Sequence, residues 1–155
     1  MEFLKFNGFE LEPINLEYST DDKERTDLRA VQEAVGGLIE LLPYWFFPEL
    51  EKAGIDCWIN EEGELLAREG DTIAPTVVFR NADKPNDIRN LVDIVFGPVV
   101  FTRHDEDGGF ASLKEGDEKL ISEALNIKHI QFLGCGDQVR PVASVFLPVK
   151  TPEEK

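Results

Sequence analysis

The segment Asp93 to Thr102, DIVFGPVVFT, limits the fold more than any other stretch, because it is an almost unbroken run of Val, Ile and Phe. Such a run reads as a central β-strand, with Gly97-Pro98 inside it marking a bulge or a strand start. A strand so apolar needs a core to lie against. At 155 residues the chain suits one domain, which at that size hides roughly 70% of its unfolded surface on folding. It is 42% hydrophobic and holds 11 Phe, whereas disordered acidic chains lack aromatics and branched aliphatics. Residues 1–155 are therefore expected to form one domain, with the core in 27–149 and a short polar tail at 150–155.

Around that run the periodicities alternate between strand and helix. Phe9, Leu11, Ile14, Leu16 and Tyr18 recur near a period of two, and Pro13 makes this an edge strand or a bend. In DLRAVQEAVGG, Leu28, Val31, Ala34 and Val35 recur at helical spacing before Gly36 or Gly37 stops the helix. LIELLP reads as a short buried strand, and PYWFFPELEKAG as an aromatic loop with one helical turn after Pro48. IDCWI and ELLAR flank Asn60-Glu61-Glu62-Gly63, whose polar and glycine content predicts a β-hairpin. TVVF is a strand, and Ile88, Leu91 and Val92 have helix-like spacing. Ser112-Leu113-Lys114-Glu115 has the pattern of a capping box ahead of a helix through Leu120, Ile121, Ala124 and Leu125. HIQFL and VASVFLPV are two further strands. The expected fold is α+β: a mixed or largely antiparallel sheet of about five to seven strands with two or three helices on one face.

Charge sets the function classes. The chain holds 31 acidic and 16 basic residues, a net of −15. Residues 1 to 71 hold 18 acids and 6 bases, so −12 of that charge falls in the first half. Such a surface repels nucleic acid, and direct nucleic-acid binding through a general basic patch is not expected. No apolar run approaches the roughly 20 residues that span a bilayer, and MEFLKFNGFELEP has no basic segment followed by an apolar one. Cys57 and Cys135 are too few for a disulfide framework, and Cys57 sits in an apolar alternating run that suits a small buried thiol. A cytoplasmic setting with reduced thiols, and no membrane, is the expectation.

Motifs of chemistry are sparse, and no enzyme is expected. Cys57, Cys135, His104 and His129 are the only soft ligands and lack zinc-site spacing, so neither metal nor cofactor is predicted. Asp105-Glu106-Asp107-Gly108-Gly109 lacks the later ligands of a calcium loop and reads as a solvated hairpin turn. Gly134-Cys135-Gly136 is a fragment of a phosphate-binding pattern and reads as a tight turn. No Gly-x-Ser-x-Gly elbow occurs, and both histidines lie far in sequence from a nucleophile and acid. The density of acids is the feature that stands out. Glu49, Glu51, Asp56, Glu61, Glu62, Glu64, Glu69 and Asp71 spread over the expected hairpin. Alternate positions of a strand share a face, so part of this set forms a negative stripe beside Trp45, Phe46 and Phe47 as candidate anchors.

The order VQEAVGGLIELL, then WINEEGEL, then FGPVVFTRHDEDGGFASL resembles a family of phage and bacterial proteins, domain of unknown function 3846. The resemblance covers roughly residues 27–125, and the chain departs from it in an acidic lead-in and a strand-rich tail after Asn126. It supplies no catalytic residue. It implies a mobile genetic element as the setting, in the cytoplasm of the host cell. There a small acidic protein is expected to bind and inhibit a host nucleic-acid-binding protein, as an anti-defence or DNA-mimic inhibitor whose carboxylates imitate the phosphate array. The second reading is a binder or sponge for a nucleotide signal, using Arg80, Arg89, Arg103 and Arg140 of the less acidic half. A small hydrolase is the third. The oligomeric state is open at this level.

Overall fold

In the computed structural model, which describes residues 2–15, 23–68, 73–84, 87, 90–135 and 138–147, period-two alternation divides each core strand between two buried faces. Strand β1 (Glu2–Phe6) buries Leu4 and Phe6 on one side and Phe3 on the other. Strand β2 (Leu11–Asn15) pairs with it in antiparallel register, Leu4 opposite Pro13. Pro13 can stand there because, among the described residues, β2 is an edge strand with no further neighbour to receive an N–H. Helix α1 (Lys23–Val35) lays Val31 and Val35 over Phe3 and Val100, and stops at Gly36, whose N–H returns to the Gln32 carbonyl at 2.9 Å. Leu28 is exposed and Asp27 is buried, so the apolar stripe is narrower than the spacing predicts.

Strand β3 (Ile39–Leu41) is short and half-buried at the other edge of this sheet. A 3-10 turn at Tyr44–Phe46 leads into helix α2 (Pro48–Ala53), and strand β4 (Ile55–Asn60) returns beside β3. The expected hairpin partner of β4 is not a strand. ELLAR lies in helix α3 (Gly63–Arg68), and β4 pairs with β3 on one side. Glu, Leu, Ala and Arg are all strong helix formers, and that preference decides the segment.

Strand β5 (Pro75–Asn81) opens a second sheet and pairs with β6 (Leu91–Phe96). Leu91 and Val92 thus belong to a strand and not to a helix, while residues 85, 86, 88 and 89 lie outside the described residues. The run DIVFGPVVFT is two strands in different sheets. β6 ends at Phe96, Gly97 takes φ 92°, and β7 (Val99–His104) joins the first sheet between β1 and β4. A side chain at position 97 would be strained, so glycine is what lets the chain cross between the sheets.

The acidic segment after His104 is the expected hairpin turn. It joins β7 to the two-residue β8 (Phe110–Ala111), and the Asp105 carboxylate accepts N–H bonds from Asp107 and Gly109. The predicted capping box does not form. Ser112 Oγ accepts the N–H of Glu2, and helix α4 (Asp117–Ala124) begins later, its Asp117 carboxylate accepting the Lys114 N–H at 2.7 Å. After a 3-10 turn at Ile127–His129, strands β9 (Gln131–Cys135) and β10 (Gln138–Leu147) form a hairpin, and β10 runs parallel to β5.

The result is α+β; among the described residues ten strands form a six-stranded sheet ordered β2-β1-β7-β4-β3 plus β8, and a four-stranded sheet ordered β6-β5-β10-β9. The strand count exceeds the expectation because short edge strands carry little periodic signal. Leu4, Phe6, Cys57, Val99 and Phe101 of the larger sheet meet Val77, Phe79, Val95, Ala143 and Val145 of the smaller one in a single buried cluster. Phe46, Phe47, Leu50, Ile121 and Leu125 close it from the helices, with Phe46 and Phe47 both against Phe79.

Candidate partner-binding cleft

Where the edges of the two sheets approach, β3 and β6 border an open cleft of about 260 Å³. Its floor is Leu42, Pro43, Phe46, Ile59, Val95 and Phe96, and its rim carries Glu40, Glu61, Glu64 and Asp93. No Lys or Arg is among the described residues that line it. All four carboxylates belong to exposed residues, and Glu62 stands exposed beside them on the turn.

The turn that presents Glu61 and Glu62 is held by a buried side chain. Asn60, 4% exposed, donates from Nδ2 to the Val35 carbonyl at 3.1 Å, and its Oδ1 accepts the Glu62 N–H at 2.7 Å. The Glu61 N–H donates to the Leu38 carbonyl at 2.9 Å. Position 63 must be glycine, since a Cβ there would stand 2.6 Å from the Phe96 carbonyl oxygen. α3 can therefore sit directly on the end of β6 and close one side of the cleft. Backbone held this way pays little ordering entropy when a partner docks.

The expected acidic set divides. Glu61 and Glu64 meet in the cleft; Glu49 borders a separate hollow with Glu123; Glu51 is exposed on α2. Glu69 and Asp71 lie outside the described residues. Asp56 is no part of an exposed stripe. It is 4% exposed, with Oδ2 2.8 Å from His104 Nδ1 and Oδ1 accepting the Tyr44 hydroxyl at 3.3 Å. Burial, and then the negative charge of Asp56, push the Tyr44 hydroxyl pKa up. The idea of a single pleated stripe fails because Glu49, Glu51, Glu61, Glu62 and Glu64 sit on a turn and two short helices, not along two paired strands. The aromatic anchors are corrected too. Phe46 and Phe47 are 5% and 4% exposed and belong to the core, and Trp45 is half-buried and stacked on Phe46 at 3.9 Å.

Two of the four bases of the nucleotide reading, Arg80 and Arg103, are engaged within the fold. Arg103 donates Nε and Nη2 to the two oxygens of Asp117, at 2.7 and 2.8 Å, and Nη1 to the Ala53 carbonyl at 2.6 Å. Arg80 donates to Asn90 Oδ1, Arg140 is exposed, and Arg89 lies outside the described residues. Cys57 is buried, and burial pushes its thiol pKa well up. Sequence reasoning passed over Glu40, Asp93 and Asn60. Only Asn60 had a local signal, as an Asn opening a polar turn; Glu40 and Asp93 are 53 positions apart and meet only through sheet topology.

Fold and cleft together define an α+β protein of two stacked sheets with an acidic mouth between their edges. The family model described as Domain of unknown function (DUF3846) matches residues 7–126, and the chain belongs to that family. No curated protein and no solved structure matches it. No helix among the described residues is long and apolar enough to cross a membrane.

Proposed function

We propose that this protein binds and inhibits a host nucleic-acid-binding protein in the host cytoplasm, presenting carboxylates where that partner expects phosphates. The observation that carries the reading is the cleft rim, where Glu40, Glu61, Glu64 and Asp93 gather with no Lys or Arg among the described lining residues and Glu62 stands alongside. Duplex DNA carries one charge per ~1.7 Å of axis, and a protein with closely set carboxylates on a stiff frame competes for the same basic groove. Asn60 supplies the stiffness. Sponging of a nucleotide is less well supported, because phosphates would be repelled by the rim and Arg103 already spends its guanidinium on Asp117 and Ala53.

The test is retention of proteins from a bacterial lysate on the immobilised chain at low and moderate salt. Nucleic-acid-binding proteins are expected to be retained at low salt and released as salt rises. Retention of none at low salt removes the mimic.

A further inference from the structure

The β1–β2 hairpin closes on a turn built around one side chain. Phe6 pairs with Leu11, the turn between them runs Asn7-Gly8-Phe9-Glu10, and the Asn7 N–H donates to the Glu10 carbonyl at 3.3 Å. Asn7 folds its amide back over this turn. Its Oδ1 accepts the N–H of Phe9 at 3.1 Å and that of Glu10 at 3.0 Å, while its Nδ2 donates to Glu12 Oε1 at 3.2 Å. A carboxylate oxygen only accepts, so the Glu12 contact fixes which end of the amide faces the two N–H groups.

Position 8 must be glycine. It takes φ 117°, and a Cβ there would stand 2.9 Å from the Pro141 carbonyl oxygen of β10. The turn therefore seats the first sheet against the second. Among the chain's asparagines, Asn7 alone precedes a glycine. A glycine nitrogen has no side chain beside it to hold off a neighbouring carbonyl carbon. An amide oxygen held by two N–H donors is polarised, and the same donors stabilise the negative charge it gains when a nucleophile adds to its carbon.

We propose that Asn7 is a self-modification site, at which the Gly8 nitrogen attacks the Asn7 side-chain amide. The Gly8 nitrogen gives its proton to water and bonds to Asn7 Cγ. The Cγ–Nδ2 bond breaks, and Nδ2 takes up a proton and leaves as ammonia. Water then opens the cyclic imide at one carbonyl to give aspartate or at the other to give isoaspartate. The net change is asparagine and water to a carboxylic acid and ammonia, with nothing oxidised or reduced. Either product sets a second carboxylate beside Glu12. Isoaspartate also adds one carbon to the main chain of the turn that seats Gly8 on Pro141. The reaction runs one way, so this joint between the sheets loosens with the age of the chain.

Peptide mass spectrometry of the full chain, sampled over time at neutral pH, reads the conversion directly. Asn7 is expected to convert before every other asparagine, on the order of tenfold faster in the native chain than in the same chain unfolded in urea. Glu12→Ala, which frees the amide to turn, brings the native rate down toward the unfolded one and leaves the unfolded rate as it was. In the converted chain the Phe9 and Glu10 amides exchange faster. An Asn7 that keeps its amide in the native chain while the unfolded chain loses it overturns the proposal. So does earlier conversion at another asparagine, or a native rate that Glu12→Ala leaves unchanged.

Discussion

Arg103 clamps Asp117 with two parallel hydrogen bonds of 2.7 and 2.8 Å, tying β7 to the first turn of α4, while its third nitrogen holds the last residue of α2. The hydrogen bonds from Arg103 hold the Asp117 carboxyl below its ordinary range; burial opposes this and the Lys114 N–H assists it. A depressed folded-state pKa stabilises above the unfolded value, near 3.8, and that contribution is lost as pH falls through the lower folded value. Asp117→Asn is expected to cost about 2–4 kcal/mol at neutral pH, with the difference from wild type shrinking in acid. Urea titrations at pH 7 and below pH 4 measure both. Arg103→Lys is also expected to lower stability, because an ammonium cannot make the fork.

Phe46 and Trp45 are neighbours with opposite duties. Phe46→Ala should cost about 3–5 kcal/mol, and Trp45→Ala, half-buried, about 1–2 kcal/mol. Denaturant midpoints at constant slope check the order. Equal costs would contradict the placement of Phe46 between Trp45 and Phe79.

Those two residues show what was legible in the chain and what was not. Helix α1, strand β5 and strand β10 were readable because their apolar residues repeat locally at 3.6 or 2. PYWFFP was read only as an aromatic loop, since nothing local says which ring faces the core. DIVFGPVVFT was read as one strand because its two halves share a composition; the change of sheet at Gly97 depends on partners far away. The cleft was invisible for the same reason. Its lining is gathered from β3, the turn after β4, α3 and β6.

Ser144 is 1% exposed, and its Oγ has no hydrogen-bond partner among the described residues. A buried hydroxyl left unpaired is a cost. Ser144→Ala should therefore raise stability by about 1 kcal/mol, seen as a higher midpoint in urea. A loss of stability would show that the hydroxyl is bonded in solution.

Cys57 should react with a thiol reagent only as fast as the chain opens, because burial disfavours its thiolate. Its alkylation rate, followed by mass spectrometry of the peptide, is expected to track denaturant concentration. Rapid labelling of the native chain would contradict the core placement.

Asn60→Ala removes both clamps on the acidic turn. The expected loss is about 1–3 kcal/mol, together with faster amide exchange at Glu61 and Glu62. An unchanged exchange rate at those amides would mean that Asn60 does not stiffen the rim.

The most direct measurement of the central claim is displacement of a retained nucleic-acid-binding protein from the immobilised chain by duplex DNA, with the variant Glu40→Gln, Glu61→Gln, Glu62→Gln, Asp93→Asn in parallel. The account predicts that DNA competes the partner off and that the variant, folded as judged by circular dichroism, binds it at least roughly tenfold more weakly. A partner that stays bound under excess DNA, or that binds the variant as well as the wild type, would contradict it.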